Sequence, residues 1–176
     1  MHGELSLRLV RLERSRVRAL ALIEGKDGVQ LNRPPAPGKW SALQVLHHVV
    51  TAEALTLAYI RKKQQAGAAL PAASVASRLR LLLVEVALAS PLRVRAPAVT
   101  ADVPQQLDAD GLRARWDDVR RELAALVEAF PNEFIDRLVF RHPYAGRMTL
   151  AHALGTLEAH LEHHVRQVER ALSVLA

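Results

Sequence analysis

Eight histidines and no cysteine set the chemistry open to this chain. Without thiols there can be no disulfide, no thiolate metal site and no cysteine nucleophile, so a bound metal must be held by nitrogen and oxygen. His160 and His164 stand four residues apart, one helical turn, and two histidines spaced so on one helix face can share one ion. A third from a facing helix, His48, would complete a triad with open positions for water or substrate. Zinc suits three imidazoles, and nickel or iron(II) fit the same ligand type. Read from the residues alone, the other possibility is three neutral core histidines, each satisfied by a hydrogen bond.

The elements that must position them can be read from the apolar spacing. The last helix opens at Thr149 and carries the seam Leu150, Leu154, Leu157, Leu161, His164, Val168, Leu172, Leu175. His164 therefore takes a core position, and His160 lies roughly 40° around, still inward. His163 and His152 are displaced by about 100° and 120°, toward solvent. On the second helix, capped by Ser41 and running to about residue 65, the seam reads Val45, His48, Ala52, Leu55, Tyr59. His47 falls toward the edge. Glu53 lies about 140° from His48, too far around to ligate the same ion, and surface ion pairing is the expected use. A second apolar set, Leu46, Val50, Leu57 and Ile60, exceeds what one face can bury and suggests contact with a crossover helix or a second subunit.

The first helix is expected over about residues 4–24, with Leu5, Leu9, Leu12, Ala19 and Ile23 on one face. A third, capped by Asp108 or Asp110, has the seam Leu112, Trp116, Val119, Leu123, Leu126, Phe130, spaced as in a bundle. Between the second and third, prolines 71, 91, 97 and 104 interrupt a crossover with a short helix over about residues 75–89. No segment alternates as a strand does. The expectation is one all-α domain, residues 1–176, folded as a four-helix bundle.

The charge is +6, carried by 24 basic residues against 18 acids. The basic residues are mostly arginines scattered along the chain, densest at Arg8, Arg11, Arg14, Arg16 and Arg18. With only 4% aromatic residues, platforms for stacking bases are scarce, and nucleic acid is not the expected partner. The apolar run at residues 79–88 is too short to span a bilayer and contains charges, so a cytoplasmic protein without a membrane partner is expected. Neither a P-loop, a dinucleotide fingerprint nor a nucleophile elbow is present.

The stretch Gly38-Lys39-Trp40-Ser41-Ala42-Leu43-Gln44-Val45-Leu46-His47-His48 resembles the second-helix signature of the DinB/YfiT-like superfamily: a Trp-Ser pair, then a metal histidine eight residues after the Trp. His142-Pro143, Gly146 and Thr149, followed by His160, His164 and Gln167, resemble its closing turn and helix. Ala96-Pro97 and Val103-Pro104 resemble its crossover. The resemblance implies a right-handed-crossover bundle, a metal site of His48, His160 and His164 holding zinc, nickel or a similar ion, and a homodimer. It also implies hydrolase, thiol-dependent S-transferase or isomerase chemistry on a small molecule, with a low-molecular-weight thiol as a cosubstrate; the alternative, from another class, is a non-catalytic metal-binding or dimeric scaffold protein. Gln44 stands where many relatives carry Glu, a departure that bears on hydrogen bonding around the metal. Trp40 is expected to be a buried anchor, His142 a structural turn residue, Tyr59 a core residue, and Gln167 either a group that orients a ligand or plain packing.

Overall fold

Helical periodicity in the sequence becomes four long helices in the computed structural model, which describes residues 3–65, 70–74, 103–143 and 146–174. In chain order these residues form α1 (Gly3–Ala21), the short α2 (Gly28–Asn32), α3 (Ala42–Gln64), α4 (Ala109–Glu128), a 3-10 turn (Asn132–Phe134), β1 (Phe140–His142), β2 (Gly146–Met148) and α5 (Leu150–Ser173). α5 packs between α1 and α3, while α4 packs on α3 and more lightly on α1, closing a four-helix bundle. The short crossover helix expected over residues 75–89, and the Ala96-Pro97 pair, lie outside the described residues.

Each long helix starts or packs where its sequence dictates. Ser41 caps α3 in a reciprocal box: its hydroxyl accepts from the Gln44 backbone N–H, and Gln44 Oε1 accepts from the Ser41 N–H at 3.0 Å. Asp108 caps α4 by accepting from Gly111 N–H at 2.7 Å, and Thr149 caps α5. The α4 seam from Leu112 to Phe130 is buried throughout. So is the α5 seam over its described length. On α1, Leu5, Leu12 and Ala19 face the core, with Ser15 among them. Ser15 Oγ–H donates to Glu162 Oε1 at 2.5 Å, tying α1 to α5.

Three features depart from the sequence expectations. A two-stranded antiparallel hairpin pairs Phe140 with Met148 and His142 with Gly146, whose φ of 75° suits glycine. Strands of three residues are too short to show alternation in the sequence. Next, α2 occupies part of the expected loop after α1, which itself ends at Ala21 rather than near residue 24. Finally, α3 buries more than one stripe. Leu43, Leu46, Val49, Val50 and Ile60 are fully enclosed, and Leu57 nearly so, whereas Leu55 of the expected seam is exposed. Because α2, α4, α5 and the hairpin all touch it, α3 is the central helix of the chain. The second apolar set is thus covered within one subunit and offers no surface to another. α3 is also long and apolar enough to cross a membrane by composition, but those apolar residues are the ones spent on the bundle core.

Central placement of α3 also overturns the expectation for Glu53, which is not a surface ion-pairing residue. Only 1% of it is exposed. Its carboxylate accepts from Trp116 Nε1–H and from Arg120 Nη2–H, each at 2.8 Å, joining α3 to α4. Burial raises the Glu53 pKa, while Arg120, Trp116 and the more distant Arg16 oppose that rise. Removing one partner of a buried pair leaves the other charge uncompensated, at a cost of about 3–5 kcal/mol. Arg120→Ala should therefore lower the unfolding free energy by roughly that amount in urea titrations. The Glu53→Gln, Arg120→Met double variant should recover much of the loss, and a fully additive double variant would contradict the pairing.

Candidate metal centre

α3 and α5 bring the three histidines singled out by the sequence to one point. His48 Nε2 lies 3.3 Å from His160 Nε2, which lies 3.1 Å from His164 Nε2, and the three donor nitrogens all fall within 4.8 Å of one another. A tetrahedral ion bound at 2.0–2.1 Å to imidazoles would separate its ligand nitrogens by about 3.3 Å. Two of the three separations match this value, and the donor set is one that a divalent cation takes. His48 and His164 are buried, and His160 is half-buried as a residue.

One nitrogen of His164 is already committed: Nδ1–H donates to Gln167 Oε1 at 2.9 Å, which leaves its Nε2 lone pair directed at the cluster. Burial, reinforced by His164, His48, His163 and His142, holds His160 well below the ordinary histidine pKa. His164 is pushed down to about 3, by burial first and His48 next, with the Gln167 hydrogen bond acting in the opposite sense. These two ligand candidates are neutral imidazoles near pH 7, the form a metal needs.

The remaining histidines fall into other settings. His47 sits at the edge of α3, its Nε2 3.2 Å from an Arg115 guanidinium nitrogen, and burial followed by Arg115 lowers its pKa. His152 lies beside its helix cap, with Nδ1 2.7 Å from Thr149 Oγ1. His163 is half-buried rather than solvent-facing, with its ring edge-on to His164 at 5.2 Å. His142 lies in β1, the strand that contacts both α3 and α5, and burial lowers its pKa.

Two expectations for the surroundings change. Trp40 is half-buried rather than fully enclosed, and it packs both against the apolar core and on His48, at 5.1 Å between ring centroids. Its position in the Trp-Ser signature gave no sign of that contact. Gln44 directs its amide hydrogen bonds elsewhere than the triad. Its amide completes the α3 cap and donates to the Pro104 carbonyl at 3.0 Å, pinning the returning chain to the start of α3. Tyr59 is half-buried and meets Phe140 of the hairpin edge-on at 5.4 Å.

Comparison with solved structures finds the same architecture elsewhere. YfiT from Bacillus subtilis, described as a probable metal-dependent hydrolase with an unusual four-helix bundle topology, is 21% identical. It aligns over 98% of this chain and 87% of its own, with a TM-score of 0.63. TT2238, described as a four-helix bundle protein, is 25% identical over 94% of this chain and 98% of its own, with a TM-score of 0.57. No curated protein matches the sequence significantly. Residues 11–168, nearly the whole length of the chain and all three clustered histidines, match the DinB superfamily. The chain belongs to the DinB superfamily.

Proposed function

We propose that this protein is a metal-dependent enzyme in which His48, His160 and His164 hold a divalent ion that activates water or a thiol. The reaction would be hydrolysis, or thiol-dependent S-transfer or isomerisation of a small molecule. The observation that carries this reading is the convergence of three Nε2 atoms, with neighbours 3.1 and 3.3 Å apart, from two helices that meet in the core. A bound divalent ion supplies Lewis acidity and brings the pKa of a coordinated water or thiol toward neutrality. Zinc and nickel suit the ligand type best, with iron(II) next.

The chain's own residues do the rest. Three imidazoles are one ligand short of a tetrahedral shell, so a position stays available to the nucleophile. Trp40 packs over one side of His48 and restricts approach from there. His160 is the least buried residue of the three, so its side is the one proposed for substrate approach. The description of YfiT as a probable metal-dependent hydrolase supports the hydrolytic branch. A low-molecular-weight thiol as cosubstrate is the other branch, and assaying such thiols with electrophiles, alongside hydrolysable esters and amides, separates the two.

Elemental analysis is the first test. His48→Ala and His160→Ala should each abolish stoichiometric metal, whereas His152→Ala, which alters a residue at the helix cap, should retain it. Unchanged metal in the first two variants would remove the basis of the proposal.

The pH dependence follows from the depressed pKa values of His160 and His164. Their folded values lie below the unfolded 6.5, so below that pH the unfolded chain takes up more protons. Metal-free protein should therefore keep full stability above about pH 6.5 and lose it progressively as the pH falls toward 3. By pH 5 His164 alone should cost about 2 kcal/mol. Melting curves of metal-free protein should fall more steeply between pH 7 and 5 than those of the His160→Gln, His164→Gln variant. Parallel curves would mean the two rings are not buried together.

A homodimer is the assembly we propose. Its surface is not the second apolar set of α3 but the outer face of α1, where Leu7, Val10 and Val17 are each about half exposed. Light scattering at micromolar concentration should give twice the chain mass, and Val10→Glu should shift it toward the monomer. A monomer mass for the unmodified protein would count against it.

A further inference from the structure

Beside the three histidines stands a neutral amide whose placement is determined by helix geometry. Gln167 follows His164 by three residues on α5, so the turn that aims the imidazole inward also brings the amide alongside its rear nitrogen. His164 Nδ1–H donates to Gln167 Oε1 at 2.9 Å, while Nε2 on the opposite edge of the ring stands 3.1 Å from His160 Nε2. An imidazole that carries its proton on Nδ1 has its lone pair on Nε2, so this hydrogen bond selects the tautomer able to ligate. It also fixes the ring plane, because the acceptor must lie close to that plane.

Resting on the metal reading above, the geometry points to Gln167 as the positioning residue of the centre, the group that holds His164 as an Nε2 ligand for a divalent cation. Its neutrality has a consequence of its own. A carboxylate at this place would make the imidazole more basic and offset part of the ion's charge. An amide accepts the same proton without adding charge, so the ion faces three neutral imidazoles and a neutral hydrogen-bond partner. With neutral groups alone around it, the site would keep a bound ion's formal charge uncompensated, which favours polarising a fourth ligand. Gln167 is half-buried and lies outside the packed seam, so substitution there should leave the bundle folded.

Two readouts test this without any assay of turnover. The first is zinc affinity, measured by competition with a fluorescent chelator. Gln167→Met removes the acceptor at similar volume and should weaken zinc binding about 10–100-fold with unchanged stoichiometry. Gln167→Glu, which restores the acceptor and adds charge, should bind at least as tightly as the unmodified protein. The second is the nitrogen-15 spectrum of His164 in metal-free protein, which should report the Nδ1–H form in the unmodified chain and a mixture of tautomers in Gln167→Met. A merely structural glutamine would move the melting temperature but neither readout. Unmodified zinc affinity in Gln167→Met, or an unchanged His164 spectrum, overturns the role of Gln167. Failure of the unmodified protein to take up zinc or nickel at all overturns the metal reading itself, a separate and recognisable result.

Discussion

Three imidazole nitrogens drawn to within 3.3 Å of their neighbours inside an apolar bundle make demands that ordinary core residues do not. Each neutral ring has one lone pair and one proton, and His164 spends its proton on Gln167. At most one hydrogen can then lie between His160 and its two neighbours. A proton added to any ring would place a charge in low-dielectric surroundings beside two further bases, which is why burial holds His160 and His164 so far below their ordinary range. The cluster accepts a cation readily only if one ion can satisfy three lone pairs together. A proton cannot; a divalent metal can.

Holding such a cluster requires that α3 be fixed in rotation as well as position. His48 faces α5, and Glu53, about 140° further around the same helix, faces α4. Apolar contacts alone would tolerate a small turn of α3, since Leu43, Leu46, Val49 and Ile60 present similar surfaces on several sides. Directional bonds would not. Turning α3 to relieve one anchor breaks the other: the Glu53 carboxylate would lose Trp116 and Arg120, or His48 would leave the cluster. The buried ion pair contributes little net stability of its own. Its value to the site is that it specifies one orientation of the helix that carries the third ligand.

How much of this was legible in the sequence depended on how each helix is buried. α4 buries one stripe, and α5 does so beyond the continuously buried Ala153–Leu157, so their apolar spacing gave the correct phase and placed His160 and His164 inward. Trp116 was legible as a core residue for the same reason, though its bond to Glu53 was not. α3 is covered on most sides, and a helix with little polar face gives periodicity little contrast. Its expected seam consequently includes the exposed Leu55, and the angle of about 140° that turns Glu53 away from His48 points it to a surface ion pair when α4 on that side goes unseen. The hint available was the reach of Trp116 and Arg120, four residues apart on α4, toward a single acidic partner. The hairpin was hidden by its shortness, and the pairing of Trp40 with His48 by the loop between sequence and ring geometry. Of the five arginines crowded on α1, Arg8, Arg16 and Arg18 pair with acids, so a basic cluster in the sequence is a partly neutralised surface in the fold.

The same geometry bears on whether an ion here would serve folding or chemistry. In small zinc domains the metal replaces a core too slight to hold the chain together, and the metal-free form unfolds. This bundle has a complete core of its own. Leu12, Leu43, Leu46, Ile60, Trp116, Leu123, Leu150, Leu154 and Leu161 are enclosed by one another without help from the histidine cluster. α3 and α5, which an ion would cross-link, already pack along each other. An ion would add stability through its preference for the folded state, as any ligand does, to a bundle whose apolar core is already enclosed. A protein that bears the cost of clustering three polar rings in its interior, and of anchoring the helix behind them, gains little structure in return. That balance is what the proposed reactivity would call for: three histidine ligands and a coordination position left to a nucleophile.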